Sequence, residues 1–171
     1  SYKILHSLKD NYNFEFLGCL PPYYESYEHG DVTVNFCNFY KELVNISELY
    51  CDNFLIELCV SIKHLKSILN IIKEKSTKSI IISLYPKNDL QEKDYIEILS
   101  NYNIKGILLN CSTFDNILNS FNKNLRKIIE TNKNLTRKVY FGFYANKIDE
   151  CKYKSNNNSN TKNNSINQLQ N

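Results

Sequence analysis

The stretch that decides the fold is Lys105–Thr113, KGILLNCST. A short apolar run, Ile107–Leu109, leads to Asn110 and Cys111, and a new segment begins at Ser112. This pattern is typical of a buried β-strand that ends in polar and reactive side chains. In sheets and barrels of βα units, functional residues lie at the carboxyl ends of the strands. The stretch therefore predicts that Cys111 stands at a strand end in a βα protein.

Four other apolar runs have the length and composition of β-strands. All are continuous rather than alternating, which is typical of parallel strands covered on both faces. With the first run they give five predicted strands: Phe14–Leu20, Asn53–Cys59, Ser79–Tyr85, Gly106–Cys111 and Lys138–Tyr144. Segments with helical spacing of apolar residues lie between them: Phe39–Tyr50, Ile62–Lys73, Asp94–Tyr102 and Phe114–Ile129. Strands and helices alternate, so the predicted fold class is α/β.

The spacing of these strands favours a barrel. Their starts near 14, 53, 79, 106 and 138 are separated by 39, 26, 27 and 32 residues. A complete barrel of eight βα units averages about 31 residues per unit. Five strands and four helices thus predict a partial (β/α)8 TIM barrel, and a doubly wound open sheet is the alternative that spacing leaves open. The four glycines form neither a GxGxxG motif nor a P-loop.

Composition limits the function classes. A net charge of +3 is too small to indicate nucleic-acid binding, and the chain has no apolar run of about 18 residues that would span a membrane. The N-terminus lacks the apolar region of a secretory signal, and the six cysteines form no CxxC pair. We therefore expect a cytoplasmic protein with reduced thiols, no nucleic-acid partner and no membrane association.

The end of the chain differs from the rest. Eight of the twenty residues in 152–171 are Asn, and almost nothing there can be buried. The sequence predicts a partial barrel domain over 1–151 and a disordered tail over 152–171. Because the chain contains no methionine, even at position 1, we expect that it is a fragment of a longer protein.

Polar groups at the predicted strand ends suggest a site for a small polar molecule. Glu57 is the strongest candidate, because an acid within the apolar run NFLIELC is unfavourable unless it is paired or bound to a ligand. Cys111, Asn110 and Asn146 complete the candidate site. Each has a simpler interpretation, since Cys111 could be a small buried hydrophobe and the two asparagines could be turn residues.

Two other cysteines and the three histidines are not predicted to belong to the site. Cys19 and Cys59 are predicted to be packing residues. The three histidines show no spacing that would indicate a catalytic triad or a metal site. These residues are therefore left out of the predicted site.

The order of the motifs resembles the homocysteine S-methyltransferase family. The chain reads FLGCLPPYYESY, then a segment with FYKEL, then DNFLIEL, IKGILLNCS and VYFGFYANK. The family pattern is a Gly-Ser strand end with a following Pro-Tyr, then strands ending in Glu-Thr, Ile-Asn-Cys and Tyr-Pro-Asn. The resemblance extends over about residues 12–148.

The resemblance implies a zinc-dependent methyl transfer to the thiol of homocysteine, with a small methyl donor and methionine as product. In the family three cysteines hold Zn²⁺ and homocysteine binds as the fourth, thiolate ligand. Cys111 matches the first of these cysteines. Glu57 matches the acid that would hold the amino group of homocysteine, while Asn110 and Asn146 match positions that shape the pocket.

The chain also departs from the family pattern. An adjacent cysteine pair in a Gly-Gly-Cys-Cys segment supplies the other zinc ligands in the family, whereas Cys151 is the only cysteine here after Cys111. Cys19, Leu58 and Ala145 replace the usual Ser, Thr and Pro. Since one thiolate is too few for a zinc site, we expect this chain alone to be inactive. The alternative is a non-catalytic barrel remnant that serves as a binding or interaction module.

Overall fold

The computed structural model describes residues 13–24, 30–131 and 138–145. In chain order its elements are β1 (Leu17–Leu20), α1 (Val34–Glu48), β2 (Asn53–Cys59), α2 (Ile62–Lys75), β3 (Ser79–Leu84), α3 (Glu92–Asn101), β4 (Ile104–Ser112), α4 (Phe114–Ser120), a π-helical segment (Phe121–Leu125), α5 (Arg126–Thr131) and β5 (Tyr140–Ala145). In this part of the chain, no helix combines the length and the hydrophobicity needed to cross a bilayer. The predicted boundary at 151 and the predicted tail lie outside the described residues.

All five strands form one parallel sheet in the order β1-β2-β3-β4-β5. Each strand therefore lies beside the next strand in the chain. In a doubly wound sheet the order reverses at a switch point, so the topology excludes that alternative. The prediction of an α/β fold is confirmed, and sequential parallel strands with alternating helices are consistent with a partial TIM barrel.

The two faces of the sheet are different. One face packs into the hydrophobic core against the helices and carries Leu20, Phe54, Ile56, Ile82 and Leu109, each at most 2% exposed. Alternation along the strands turns the intervening side chains to the other face. That face, here called the open face, carries Cys19, Leu55, Glu57, Ile81 and Leu108, all partly or largely exposed. In a closed barrel this face would line the interior.

A polar network crosses the open face near the amino ends of the strands. The Asn53 amide Nδ2 donates to Glu15 Oε2 at 3.0 Å, and the Ser79 hydroxyl donates to Asn53 Oδ1. The Lys105 ammonium donates to Glu15 Oε1 at 2.6 Å. The network joins the segment before β1 to β2, β3 and β4, so it stabilises the relative positions of these strands.

Several element ends differ from the sequence-based prediction. The first strand begins at Leu17 rather than Phe14, because the Phe16 N–H donates to the Asp52 carboxylate at 2.8 Å instead of joining the ladder. Helix α1 begins at Val34, five residues before the predicted start, because the Thr33 hydroxyl caps it by accepting from Phe36 N–H at 3.1 Å. The predicted helix Phe114–Ile129 is interrupted by the π-helical segment. Strand β2 has the predicted bounds.

Candidate functional site

The parallel arrangement brings the carboxyl ends of the strands to one edge of the sheet. Cys19 lies near the end of β1, Glu57 near the end of β2, and Asn110 and Cys111 near the end of β4. We call these four residues the strand-end rim. The predicted site residues Glu57, Asn110 and Cys111 all lie on it. Asn146, the remaining predicted member, lies outside the described residues.

The charge of Glu57 acts on two thiols of the rim. Burial raises the pKa of Cys111, and the negative charge of Glu57 raises that pKa further. The pKa of Cys19 is raised by the same two causes in the same order. A carboxylate disfavours a nearby thiolate because the two negative charges repel each other. One acid therefore acts on thiols from two different strands.

Cys111 has an unusual backbone conformation. Its φ angle is 59°, in the left-handed region that residues with a side chain rarely adopt. The pairing between β4 and β5 shifts at this point, from Asn110 beside Tyr144 to Ser112 beside Ala145. Such a bulge re-aims a side chain, and strained residues of this kind concentrate at functional sites.

Strand β2 ends in a similar way. Leu58, which directly follows Glu57, has a φ angle of 47°, and the pairing of β2 with β3 shifts between Ile56 and Cys59. The two strands that carry the candidate acid and the candidate thiol thus both contain a left-handed residue near the carboxyl end. Neither irregularity is predictable from residue type, since neither position is Gly, Asn or Asp.

Asn110 is held by a neighbour on β3. Its Nδ2 donates to Ser83 Oγ at 2.7 Å, and Ser83 is buried. Its Oδ1 is buried and has no hydrogen-bond partner among the residues that the structure describes. A buried acceptor without a partner is unfavourable, so Asn110 presents a fixed acceptor that an N–H or O–H group of a ligand would satisfy. Ser83 orients this side chain, and sequence reasoning had missed it.

A small cavity adjoins the rim between β1, β2 and the first two helices. Its lining includes Glu57, Tyr23, Tyr24 and His64, and its volume of about 20 Å³ is enough for about one water molecule. The His64 ring stacks on Tyr24 with centroids 5.6 Å apart, and its Nε2 lies 2.7 Å from the carbonyl oxygen of Gly30. The cavity gives Glu57 an aromatic wall on one side.

The structure corrects one of the two cysteine interpretations. Cys59 is 6% exposed and belongs to the hydrophobic core, so its interpretation as a packing residue is confirmed. Cys19 is exposed on the open face, so the same interpretation is wrong for Cys19. The alternation of β1 explains the difference, because Gly18 and Leu20 occupy the buried side.

The described residues contain no group of three His, Cys, Asp or Glu side chains that could hold a metal ion. Cys111 and Glu57 alone supply fewer ligands than the three protein ligands of catalytic zinc sites. This part of the chain therefore does not by itself fit a zinc centre. Cys151 lies outside the described residues.

The fold and the rim together define an α/β protein of barrel type with an acid, an amide and thiols at the carboxyl ends of its strands. The sequence profile of the homocysteine S-methyltransferase family matches residues 1–169. The chain belongs to the homocysteine S-methyltransferase family. No individual curated protein matches it. The family resemblance of the strand-end motifs is thereby confirmed over a longer stretch than the motifs themselves cover.

Proposed function

We propose that the strand-end rim is the methyl-acceptor site, and that it binds homocysteine. The observation that supports this most directly is the position of Glu57, whose charge acts on thiols of both β1 and β4. The carboxylate binds the ammonium group of the amino acid through charge-assisted hydrogen bonds. Asn110 Oδ1 accepts a further hydrogen bond from the ligand, and Asn146 contributes to the same pocket.

Binding of an ammonium group changes the electrostatics of the rim. The free carboxylate of Glu57 raises the pKa of nearby thiols, as Cys111 shows. An ammonium paired with Glu57 neutralises this charge, so a thiolate beside it becomes less unfavourable. Binding of the amino acid therefore makes ionisation of its own thiol less unfavourable.

The chemistry of the family is methyl transfer to sulfur. The homocysteine thiol releases its proton to water, and its sulfur forms a bond to the methyl carbon. The bond from that carbon to the donor atom breaks, and its electron pair stays on the donor. The products are methionine and the demethylated donor. The rim contributes by orienting the acceptor, because correct placement of two reactants supplies a large part of the rate enhancement.

In the family, zinc is bound by the complete set of three cysteines. Cys111 is the residue that would serve as one ligand. The described residues do not form a metal centre on their own, so the roles proposed here belong to the side chains of the rim.

The proposal is tested by measuring homocysteine binding to the chain by isothermal titration calorimetry. We expect Glu57→Gln to weaken binding by about tenfold or more, because a hydrogen bond to a charged group is lost. Glu74→Gln is the matched control, since Glu74 is an exposed acid on α2 and its change should leave the affinity unaltered.

A second ligand makes the test specific for the amino group. The analogue 4-mercaptobutyrate has the thiol and the carboxylate but no ammonium, so Glu57→Gln should not weaken its binding. Equal weakening of both ligands would contradict the assigned role of Glu57. Homocysteine binding without methyl transfer from a donor would favour the alternative, a binding module.

A further inference from the structure

A polar cleft lies apart from the strand-end rim, between the connection from β3 to α3 and the helical stretch that follows β4. One wall is the segment Pro86–Gln91, without Asp89, and the cleft has a volume of about 330 Å³. This volume falls within the range of small-molecule sites, about 300 to 1,000 Å³. None of its lining residues lines the cavity beside Glu57.

The second wall is a polar stripe along α4 and the π-helical segment. The stripe consists of Asn116, Asn119, Ser120, Lys123 and Asn124. Their offsets of three and four residues place them on one side of the helical stretch. The opposite side of the same stretch is apolar, with Ile117, Leu118 and Phe121 facing β5. The polar stripe is thus a distinct surface of an amphipathic element.

The Ser120 hydroxyl at the cleft is a buried polar group that a ligand could satisfy. The side chain is 6% exposed, and its hydroxyl has no hydrogen-bond partner within the described residues. A buried hydroxyl without a partner is unfavourable, and such groups in native proteins call for an explanation. The π-helical segment that begins at the next residue points the same way, because π-bulges occur frequently at functional sites.

The chemistry of the lining indicates which ligand the cleft accepts. It presents the side-chain amides of Asn119 and Asn124, one hydroxyl and the ammonium group of Lys123, and no acidic side chain is among its lining residues. The other lining amides donate within the protein, to Tyr85 O, Asp89 O and Ser112 Oγ. Two carboxylates lie nearby, and each accepts a backbone hydrogen bond. Asp89 Oδ1 accepts from Ile62 N–H at 2.6 Å, and Asp94 Oδ2 accepts from Gln91 N–H at 2.9 Å.

We propose that this cleft binds the oxyanion group of a small molecule, a phosphate or a carboxylate. Lys123 neutralises the negative charge, while Asn119, Asn124 and the Ser120 hydroxyl donate hydrogen bonds to the oxygens. The proposal is independent of the methyl-acceptor site, because the two sites share no lining residue.

The experiment is an NMR titration of the ¹⁵N-labelled chain with inorganic phosphate and, separately, with succinate. We expect saturable shifts of the Asn119 and Asn124 side-chain amides with at least one of the two anions. The anion that saturates identifies the phosphate or the carboxylate as the recognised group. Absence of saturable shifts with both anions would overturn the proposal.

Variants separate a built site from general attraction to a basic surface. Lys123→Gln should weaken anion binding about fivefold, the loss of one partly exposed charge contact, whereas Lys123→Arg should retain it. The control is Lys41→Gln, which removes an exposed lysine on α1. Equal effects of Lys123→Gln and Lys41→Gln would show only nonspecific attraction and overturn the assignment.

Ser120→Ala should affect anion binding and stability in different ways. It should weaken anion binding about threefold, because one donor is lost. It should also keep or raise the melting temperature of the ligand-free chain, because a buried hydroxyl without a partner is removed. A lower melting temperature would show that the hydroxyl has a structural role and would contradict its assignment to the ligand.

Discussion

At the scale of single residues, Glu57 is the group on which the site depends. An acid in a largely apolar strand is unfavourable unless something balances its charge. Among the described residues, the charge of Glu57 acts on two thiols of the rim and raises the pKa of both. This charge is the reason for our proposal that the rim binds the amino group of a ligand.

The first prediction concerns the effect of Glu57 on Cys111. Replacement by Gln should lower the pKa of the Cys111 thiol, because the repelling charge is gone. The pKa should remain above its ordinary value of 9.0, since burial is the larger cause of the shift. The measurement is the pH dependence of alkylation of each cysteine by iodoacetamide, read by peptide mass spectrometry.

The controls lie within the same experiment. Cys19 should respond in the same direction as Cys111, because Glu57 is its second cause as well. Glu74→Gln changes the net charge equally but should leave both thiols unaffected. A Cys111 profile that Glu57→Gln does not move would show that the acid and the thiol are not coupled.

At the scale of elements, strand cores were predictable and their ends were not. Continuous apolar runs located all five strands, and β2 has its predicted bounds. The ends depend on single hydrogen bonds, such as the one from Phe16 N–H to Asp52, which apolar patterning does not encode. The bulges after Glu57 and Asn110 depend on how neighbouring strands pair, so the local sequence does not predict them.

The second prediction concerns the network across the open face. Asn53→Ala should lower the free energy of unfolding by about 1–3 kcal/mol, because it removes the acceptor of the Ser79 hydroxyl and the donor to Glu15. Asn53 is 4% exposed, so water replaces these bonds poorly. Urea denaturation of the purified chain measures the change.

Asn101→Ala is the control for this variant. Asn101 is exposed at the end of α3, and its replacement should change the stability by less than about 0.5 kcal/mol. If the two variants were equally stable, the network would not contribute to holding the strands together.

At the scale of the whole molecule, the chain buries several groups that ionise at high pH. Burial raises the pKa of Cys59 from 9.0 to about 12 and that of Tyr95 from 10.0 to about 12. Between those values the unfolded chain has released protons that the folded chain still holds. The unfolded state then binds fewer protons, so stability falls as pH rises.

The third prediction follows from this difference. The urea midpoint should be nearly constant up to about pH 8.5 and should decline between about pH 9 and pH 12. Tyr95→Phe should make the decline shallower above pH 10, because one of the titrating groups is removed. Tyr144→Phe, which changes a tyrosine that is 68% exposed, should leave the slope unaltered. A midpoint independent of pH up to 12 would contradict the prediction.

The site was predictable to the extent that strand order could be read from the sequence. Once the strands are parallel and sequential, the residues at their carboxyl ends must share an edge, and Glu57, Asn110 and Cys111 do so. Cys19 and Ser83 were missed because their roles depend on which face of a strand is open and on a contact between neighbouring strands. The polar cleft was missed for the same reason, since it joins two segments about thirty residues apart.

The separation between the buried face of the sheet and its carboxyl edge has a consequence for divergence within the family. Packing is carried mainly by the side chains of the buried face, while Cys19 and Glu57 lie on the open face. We therefore expect that departures from the family pattern at the edge, such as the cysteine at position 19 and the leucine at position 58, leave the scaffold intact. Ligand preference can therefore change through substitutions at one strand end at a time, while the packing of the sheet stays the same.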